Sequence, residues 1–320
     1  MKIKSDRPNI AISSCLLGEP VRYNGFHTQD RWITSILSKH VNLIPICPEI
    51  EMGLGTPREE IYLEYSNTNK SEFKLKTKRS NKDLTNLAKS TYSNIINDKR
   101  LENLDGFIFM RKSPSCGLGN VKSISNKKES SVRLVQGLFA KEISNRWPLL
   151  PKEDSGRFKN VELKEKFIKQ VFAHFRLRNI TKNVASIQDF HKKYKYILME
   201  HSQRELKALG NLAANHDQLE DEEVYELYQS LFLNTISNQP TTGNRINTFQ
   251  HIFGYLKREL NTADKLRVLN TFDDYKQGHC NYLVPLRILD YLIRQNNVQY
   301  LMDHFYFTPY PKELNLAKSI

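Results

Sequence analysis

Three of the four cysteines in this 320-residue chain lie in short segments rich in Gly, Pro and Ser. They are Cys15, Cys47 and Cys116, and each follows a run of apolar residues typical of a β-strand. Because the carboxyl ends of parallel strands meet at one edge of an open α/β sheet, we expect the three thiols to converge there. Three thiolates hold a metal ion or an iron–sulfur cluster and leave one coordination position open for chemistry.

Two alternatives apply to these cysteines. A free Cys is usually a small buried hydrophobic side chain, and the sequence contains no CxxC pair of the zinc-ribbon or ferredoxin type. Three thiols alone suit zinc as well as an iron–sulfur cluster. Cys280, in Gly278-His279-Cys280, lies far along the chain in a helical region, so we exclude it from the proposed set.

The chain is basic, with a formal net charge of +13, and the excess is concentrated in its first half. Residues 1–150 carry 24 Lys and Arg against 15 Asp and Glu, which is a net charge of +9. This density is typical of a protein that binds a polyanion, above all nucleic acid, although a solvated basic surface has the same composition. The basic residues form two clusters, Lys70, Lys74, Lys76, Lys78, Arg79, Lys82 and Lys89, and then Lys122, Lys127, Lys128 and Arg133.

The sequence predicts a cytoplasmic protein with no membrane association. No run approaches the ~18 apolar residues that a membrane-spanning helix needs. The first residues, Met1 to Arg7, contain no apolar stretch of the kind found in a secretory signal. A few scattered cysteines in such a chain favour a reducing compartment, where thiols are free to bind metals.

The first half alternates strand-like runs with helix-compatible segments. This alternation predicts an α/β domain over residues 1–150 with a mostly parallel, Rossmann-like sheet. The clearest strands are Asn9–Ser13, Val41–Cys47 and Phe107–Met110, and the clearest helices are Thr28–His40 and Asp83–Ile96.

The second half predicts an all-α domain over residues 161–320, after a polar linker at residues 151–160. The segment Lys192–Tyr196 mixes Lys and Tyr, which suits either a grip on RNA or an amphipathic packing helix. The predicted helices are Val161–Arg178, Ile187–Leu212, Glu222–Ser237, Arg245–Leu260, Ala263–Tyr275 and Val284–Asn296.

The cysteine motifs resemble those of the thiouracil desulfidase (TudS) family. The resemblance covers roughly residues 8–150, and its motifs appear in the same order. They are Ser14–Gly18 with Val21–Gly25, Cys47–Gly55 with Thr56–Arg58, and Lys112–Gly117. The remainder resembles the helical domain fused to this one in longer members, in Phe190–Lys195, Gln250–Tyr255, Leu283–Leu286 and Tyr310–Leu314. The whole chain is thus similar to the bacterial tRNA 4-thiouridine desulfidases (RudS type).

The resemblance implies a specific cofactor and a specific pair of catalytic residues. In the family, three cysteines bind a [4Fe-4S] cluster and leave one iron without a protein ligand. The matching residues here are Cys15, Cys47 and Cys116, and the family's acidic and hydroxyl catalytic residues match Glu49 and Ser113.

We therefore expect an iron–sulfur-dependent, non-redox desulfidase that replaces the sulfur of thiouridine in tRNA, in particular 4-thiouridine, with oxygen. Tyr23, Asn24 and Arg58 are candidate substrate-binding residues, or they brace the loops. Two alternatives stay open, namely a desulfidase of free thiouracil and a non-catalytic iron–sulfur protein that binds RNA or senses redox state.

Overall fold

The computed structural model describes residues 6–65, 72–125, 132–215, 218–314 and 316. The chain divides into two compact units, Met1–Val171 and Phe172–Ile320. Residues 151–160, which the sequence predicts as a linker, include a strand at Lys152–Asp154 and a short 3-10 helix at Arg157–Lys159.

The first unit combines strands and helices. In the described part of the chain its strands are β1 (Asn9–Ser13), β2 (Asn42–Ile46), β3 (Ile61–Tyr65), β4 (Phe73–Thr77), β5 (Gly106–Phe109), β6 (Val121–Ser125), β7 (Val132–Val135) and β8 (Lys152–Asp154). Its helices are α1 (Arg31–Ser35), α2 (Pro48–Glu51), α3 (Thr85–Ile96) and α4 (Leu138–Arg146), and it also contains the start of α5 (Val161–Asn179).

The first sheet is parallel throughout, in the order β2-β1-β5-β8. Its central strands β1 and β5 are buried along almost their whole length, which is typical of a parallel sheet covered on both faces. The predicted strands agree with β1, β2 and β5 to within one residue at each end. The α/β class and the mostly parallel sheet are therefore confirmed.

A second sheet of mixed direction was not predicted. Its order is β4-β3-β6-β7, with β3 and β6 parallel and the outer pairs antiparallel. Strand β6 alternates strictly, because Val121, Ser123 and Ser125 are buried and the two residues between them are exposed. Alternation of this kind places one face of the sheet on the core and the other towards solvent.

One hydrophobic core connects the two sheets with α3 and α4. Phe107 and Phe109 of β5 stack with their ring centroids 3.9 Å apart. Leu63 and Leu75 of the second sheet and Phe139 of α4 belong to the same cluster of buried residues. The core thus fixes the position of both sheets relative to the loops that follow β1, β2 and β5.

The second unit is helical throughout its described part, which confirms the all-α prediction. The predicted helix Ile187–Leu212 is in fact two helices, because Ser202 interrupts it and its hydroxyl caps the second by accepting a hydrogen bond from the Glu205 amide. Its helices after α5 are α6 (Val184–His201), α7 (Gln203–Ala214), α8 (Asp221–Ser237), α9 (Thr242–Leu256), α10 (Thr262–Gln277), α11 (Leu283–Gln295) and α12 (Gln299–Met302).

Tyr194 and Tyr196 in α6 are buried, so these two rings pack in the core of the helical unit. For these residues the packing interpretation of the Lys–Tyr segment is correct. Among the described residues, every helix is too short or too polar to cross a membrane.

Candidate functional site

The first unit contains a cavity of about 470 Å³ at the carboxyl ends of β1, β2 and β5. Cys15, Cys47 and Cys116 all line it, together with Glu49 and Ser113. The structure therefore brings to one cavity the five residues that the sequence analysis selected as cofactor ligands and catalytic groups. Their position at the carboxyl edge of the parallel sheet is the one expected for a ligand site in an α/β fold.

Cys15 is held in a tight turn directly after β1. The turn is a 3-10 helix, Ser14–Leu17, and it ends at Gly18, whose φ of 100° lies in the left-handed region that glycine adopts without strain. The Cys15 carbonyl accepts a hydrogen bond of 2.9 Å from the Thr28 amide. The thiol is buried, and the 3-10 turn and the hydrogen bond from Thr28 hold the backbone around it.

Cys47 connects β2 to the short helix α2. Pro48 occupies the first helical position, where its missing N–H is tolerated and its fixed φ favours helix formation. The turn of this helix places Glu49 beside Cys47, and the thiol donates a hydrogen bond to Glu49 Oε2 at 3.6 Å.

Cys116 lies in the loop that follows β5. Ser113 organises this loop, because its Oγ accepts hydrogen bonds from the amides of Ser115 at 3.2 Å and Cys116 at 3.0 Å. With both amides donating to it, the Ser113 hydroxyl donates in turn to Glu49 Oε1 at 3.2 Å. The buried carboxylate of Glu49 therefore joins the second cysteine motif to the third.

The environment of the three thiols disfavours their charged form in the protein alone. Burial, followed by the nearby Glu49 charge, raises the pKa of Cys15 to about 11 and the pKa of Cys47 to about 12. Burial also raises the pKa of Cys116, and the charges of Glu49 and Cys47 add to this effect. A bound cationic group would reverse this preference, since metals bind cysteine as thiolate.

Within the described residues, no three His, Cys, Asp or Glu side chains are close enough together to hold a single metal ion. The three thiols nevertheless line the same cavity.

The candidate substrate-binding residues separate into two kinds. Tyr23 and Arg58 line the cavity. Arg58 also braces its wall, because its Nη1 donates to the carbonyls of Val21 at 2.8 Å and Gly55 at 3.0 Å. Asn24 is not among the lining residues, and its side chain accepts a hydrogen bond of 3.3 Å from the Phe26 amide.

The sequence analysis missed one wall of the cavity. This wall comes from the second sheet and includes Tyr62, Lys78, Lys122 and Ile124. The sequence of β6 carries no apolar–polar alternation that would mark this wall, because Ser123 and Ser125 are buried and Ile124 is exposed. Lys78 and Lys122 belong to the two basic clusters of the sequence. Lys70, Lys127 and Lys128 of those clusters lie outside the described residues.

The cavity lining carries an excess of positive charge. Glu49 and Glu60 are its two carboxylates. Its six cationic side chains are Arg22, Arg58, Lys78, Arg111, Lys112 and Lys122. Cys280 contributes nothing here, because it lies in the second unit, where its thiol donates to the Thr271 carbonyl at 3.9 Å.

Two family models match the chain, one in each part. Residues 10–155 match the 2-thiouracil desulfurase family, and residues 195–311 match a family described as a protein of unknown function, DUF1722.

Individual proteins resemble the chain over one part or the other. The protein YbgA of Escherichia coli K12 is 24% identical over 135 residues, which cover 42% of this chain and 80% of YbgA. The protein YbbK of Bacillus subtilis 168 is 30% identical over 113 residues, which cover 34% of this chain and 74% of YbbK. Among solved structures, the [4Fe-4S]-dependent thiouracil desulfidase TudS aligns with a TM-score of 0.39 at 22% identity, covering 50% of this chain and 98% of TudS.

Proposed function

The chain belongs to the 2-thiouracil desulfurase family, and from this membership we propose that its first unit removes sulfur from a thiolated uracil ring. The family match confirms the resemblance drawn from the cysteine motifs. The observation that carries the proposed activity is the single cavity lined by Cys15, Cys47 and Cys116 together with the hydrogen-bonded Glu49 and Ser113. The net reaction adds water, releases sulfide and leaves a carbonyl oxygen, so it consumes no electrons.

We propose that Cys15, Cys47 and Cys116 hold a [4Fe-4S] cluster, the cofactor named for the similar protein TudS. The chemistry of the donor set supports the fit, because the three cysteines line one cavity and would supply the thiolates that iron–sulfur clusters use. A cluster with three protein ligands supplies one iron as a soft Lewis acid that matches a thiocarbonyl sulfur.

The protein's own groups would handle water and protons. Glu49 is positioned to accept a proton from the water that attacks the ring carbon or to pass one to a ring nitrogen. Ser113 donates to Glu49 Oε1, and its own oxygen accepts two backbone hydrogen bonds, so its orientation is fixed. Its proposed catalytic role is therefore to hold Glu49 in position for that proton transfer.

For the substrate, we propose thiouridine in tRNA, with 4-thiouridine as the first candidate. The excess of cations in the cavity lining and the +9 charge of residues 1–150 support a substrate that carries phosphates. A uridine inside folded RNA would have to leave its stack to reach a cavity of this size. Free thiouracil is the second candidate, favoured by the description of the matching family.

The test is nucleoside analysis by mass spectrometry of bulk tRNA incubated with anaerobically reconstituted protein. Free 2-thiouracil is assayed in parallel, and a Cys116→Ala protein serves as the control. We expect 4-thiouridine to fall and uridine to rise by the same amount, with no change in the control. Unchanged 4-thiouridine in the presence of a verified cluster would overturn the tRNA assignment, and turnover of 2-thiouracil would then identify the free base as the substrate.

A further inference from the structure

The second sheet has an exposed face that continues into the cavity. Strands β6 and β7 pair with Lys122 opposite Leu134 and Ile124 opposite Val132. Directly paired residues of neighbouring strands lie on the same face, so these four side chains form one surface. Lys122 and Ile124 also line the cavity, which makes the surface continuous with the proposed active site.

Three aliphatic side chains on this face are open to solvent. Ile124 is 46% exposed, Val132 is 54% exposed and Leu134 is 63% exposed. We refer to these three residues as the apolar ledge. Neighbouring exposed aliphatic side chains on an outer strand promote aggregation, and a persistent apolar patch usually marks an interaction site.

Basic residues lie on the same face as the ledge. Glu64 of β3 pairs with Ile124 on one side and with Lys74 of β4 on the other. Lys76 lies two residues after Lys74, and its ammonium group forms an ion pair of 2.8 Å with Glu64. Asp83 is paired with Lys76 in the backbone and forms an ion pair of 3.7 Å with Lys74. Lys74, Lys76 and Lys122 against the carboxylates of Glu64 and Asp83 leave this face with a net charge of +1.

We propose that this face receives the nucleotides that flank the target uridine in an RNA substrate, an inference that rests on the proposed tRNA desulfidase function. When one base leaves its stack, its neighbours lose a stacking partner at the mouth of the cavity. Aliphatic side chains cover such exposed base faces, as the apolar wedges of nucleic-acid-bending proteins do. The surrounding lysines would contact the adjoining phosphates. A free base has neither neighbours nor phosphates, so the face would distinguish RNA from free thiouracil.

The test uses the reconstituted full-length protein with a Val132→Thr/Leu134→Thr double substitution. Threonine is β-branched and suits a strand, so it should keep β7 intact at both positions while it reduces the apolar area. The matched control is Leu87→Gln on α3, since Leu87 is 43% exposed in the same unit and does not line the cavity. tRNA affinity is measured by fluorescence anisotropy, and turnover is measured on both tRNA and 2-thiouracil.

We expect the double substitution to weaken tRNA binding about tenfold, the order of one lost base contact. Turnover of 2-thiouracil should equal that of the wild type, and Leu87→Gln should change neither quantity. Lys122→Gln should reduce the magnitude of the slope of log affinity against log salt by about 1, the change expected when one phosphate contact is lost.

Two results would overturn the inference. In the first, the double variant binds and desulfurises tRNA like the wild type. In the second, sedimentation shows a wild-type dimer that the substitutions dissociate, which would make the ledge an interface between two copies. Failure of the proposed function is recognised separately, because the wild type itself would then leave tRNA unchanged.

Discussion

Glu49 contacts two different functional groups in the cavity. One carboxylate oxygen accepts from the Cys47 thiol at 3.6 Å, and the other accepts from the Ser113 hydroxyl at 3.2 Å. Because Glu49 follows Cys47 by two residues, any group that Cys47 binds lies within reach of this carboxylate. A purely electron-transferring or sensing centre needs no such proton acceptor, so the role of Glu49 separates an enzyme from a sensor.

Replacing Glu49 with Gln should abolish turnover while the iron–sulfur centre still assembles. Loss of a general acid–base group costs about 10²- to 10⁴-fold in rate, and the amide keeps the size and hydrogen-bonding shape of the side chain. The matched control is Glu51→Gln in the same helix. Glu51 does not line the cavity, and its carboxylate forms an ion pair of 3.5 Å with Arg100. Turnover, iron content and visible absorbance are measured for both. Near-wild-type turnover in Glu49→Gln would contradict the catalytic role.

The buried thiols predict how the stability of the metal-free protein depends on pH. The folded state holds the pKa of Cys15 at about 11, against an ordinary value of 9.0, because burial disfavours the thiolate. Above pH 9 the unfolded chain loses this proton first, so stability that is fully present below that pH is lost as the pH rises towards 11.

Urea unfolding of the metal-free protein should therefore show falling stability from about pH 8 to about pH 10. Over this range the free energy of unfolding of Cys15→Ala should fall by about 1 kcal/mol less than that of the wild type, because the Cys15 thiol no longer titrates. Cys280→Ala is the comparison, because Cys280 lies in the second unit, outside the cavity. Burial and Asp274 also raise the pKa of Cys280, but this thiol is less buried than Cys15, so its removal should change the pH dependence less. Equal pH dependence in the wild type and Cys15→Ala would contradict the buried position of the Cys15 thiol.

At the residue scale, local sequence was sufficient to predict that the three cysteines line one cavity. Cys15, Cys47 and Cys116 each follow a strand, and strand ends of a parallel sheet meet at one edge. Local sequence was insufficient for Asn24, because its bond to the Phe26 amide depends on the conformation of the turn. Side-chain direction inside a loop is not encoded by a motif of consecutive residues.

At the scale of elements, helix α4 anchors the loop that carries Cys116. The amides of Gly137, Leu138 and Ala140 donate to the carbonyls of Gly117, Pro114 and Ser115 at 2.7, 3.0 and 3.1 Å. Amides in the first turn of a helix have no partner within the helix, so the loop and the helix satisfy each other. This contact is close, because a Cβ at Gly137 would lie 2.5 Å from the Ser115 carbonyl oxygen.

Gly137→Ala should therefore displace the Cys116 loop and lower iron occupancy after reconstitution. The backbone atoms of Ser115 and Gly117 cannot move aside as a flexible side chain would, and a strained contact of this kind costs about 1–3 kcal/mol. The control is Gly119→Ala, two residues after Gly117, where an added Cβ has no neighbour within 4 Å. Iron content and urea unfolding are measured for both proteins. Full iron occupancy in Gly137→Ala would contradict the anchoring role of α4.

The second sheet shows where sequence-based prediction of elements stopped. Its strands are only four or five residues long. In Phe73–Thr77 the alternating residues are lysines, which the sequence presents as part of a basic cluster and not as the exposed face of a strand. The pairing of β3 with β6 joins residues about 60 positions apart, which no local pattern reveals. Most long helices of the second unit match the predicted ones because their apolar periodicity extends over several turns, whereas the break at Ser202 was not predicted.

At the scale of the whole molecule, charge is unevenly distributed between the two parts of the chain. Of the formal net charge of +13, residues 1–150 carry +9, and these residues also provide the proposed active site. A general positive field attracts a polyanion from a distance, and salt screens it over about one Debye length. The chemistry inside the cavity depends on buried groups and on direct hydrogen bonds between them, which salt affects much less.

Raising the salt concentration should therefore separate the two candidate substrates. Binding of tRNA should weaken at least tenfold for a fourfold rise in salt if about three or more phosphates are contacted, because each contact releases condensed counterions. Turnover of 2-thiouracil, which carries no phosphate, should change by less than about twofold over the same range. Both assays use one reconstituted preparation, with the absorbance of the iron–sulfur centre followed as a control for its loss at high salt. Equal salt sensitivity for the two substrates would show that the basic surface does not serve RNA binding, and free thiouracil would then be the better assignment.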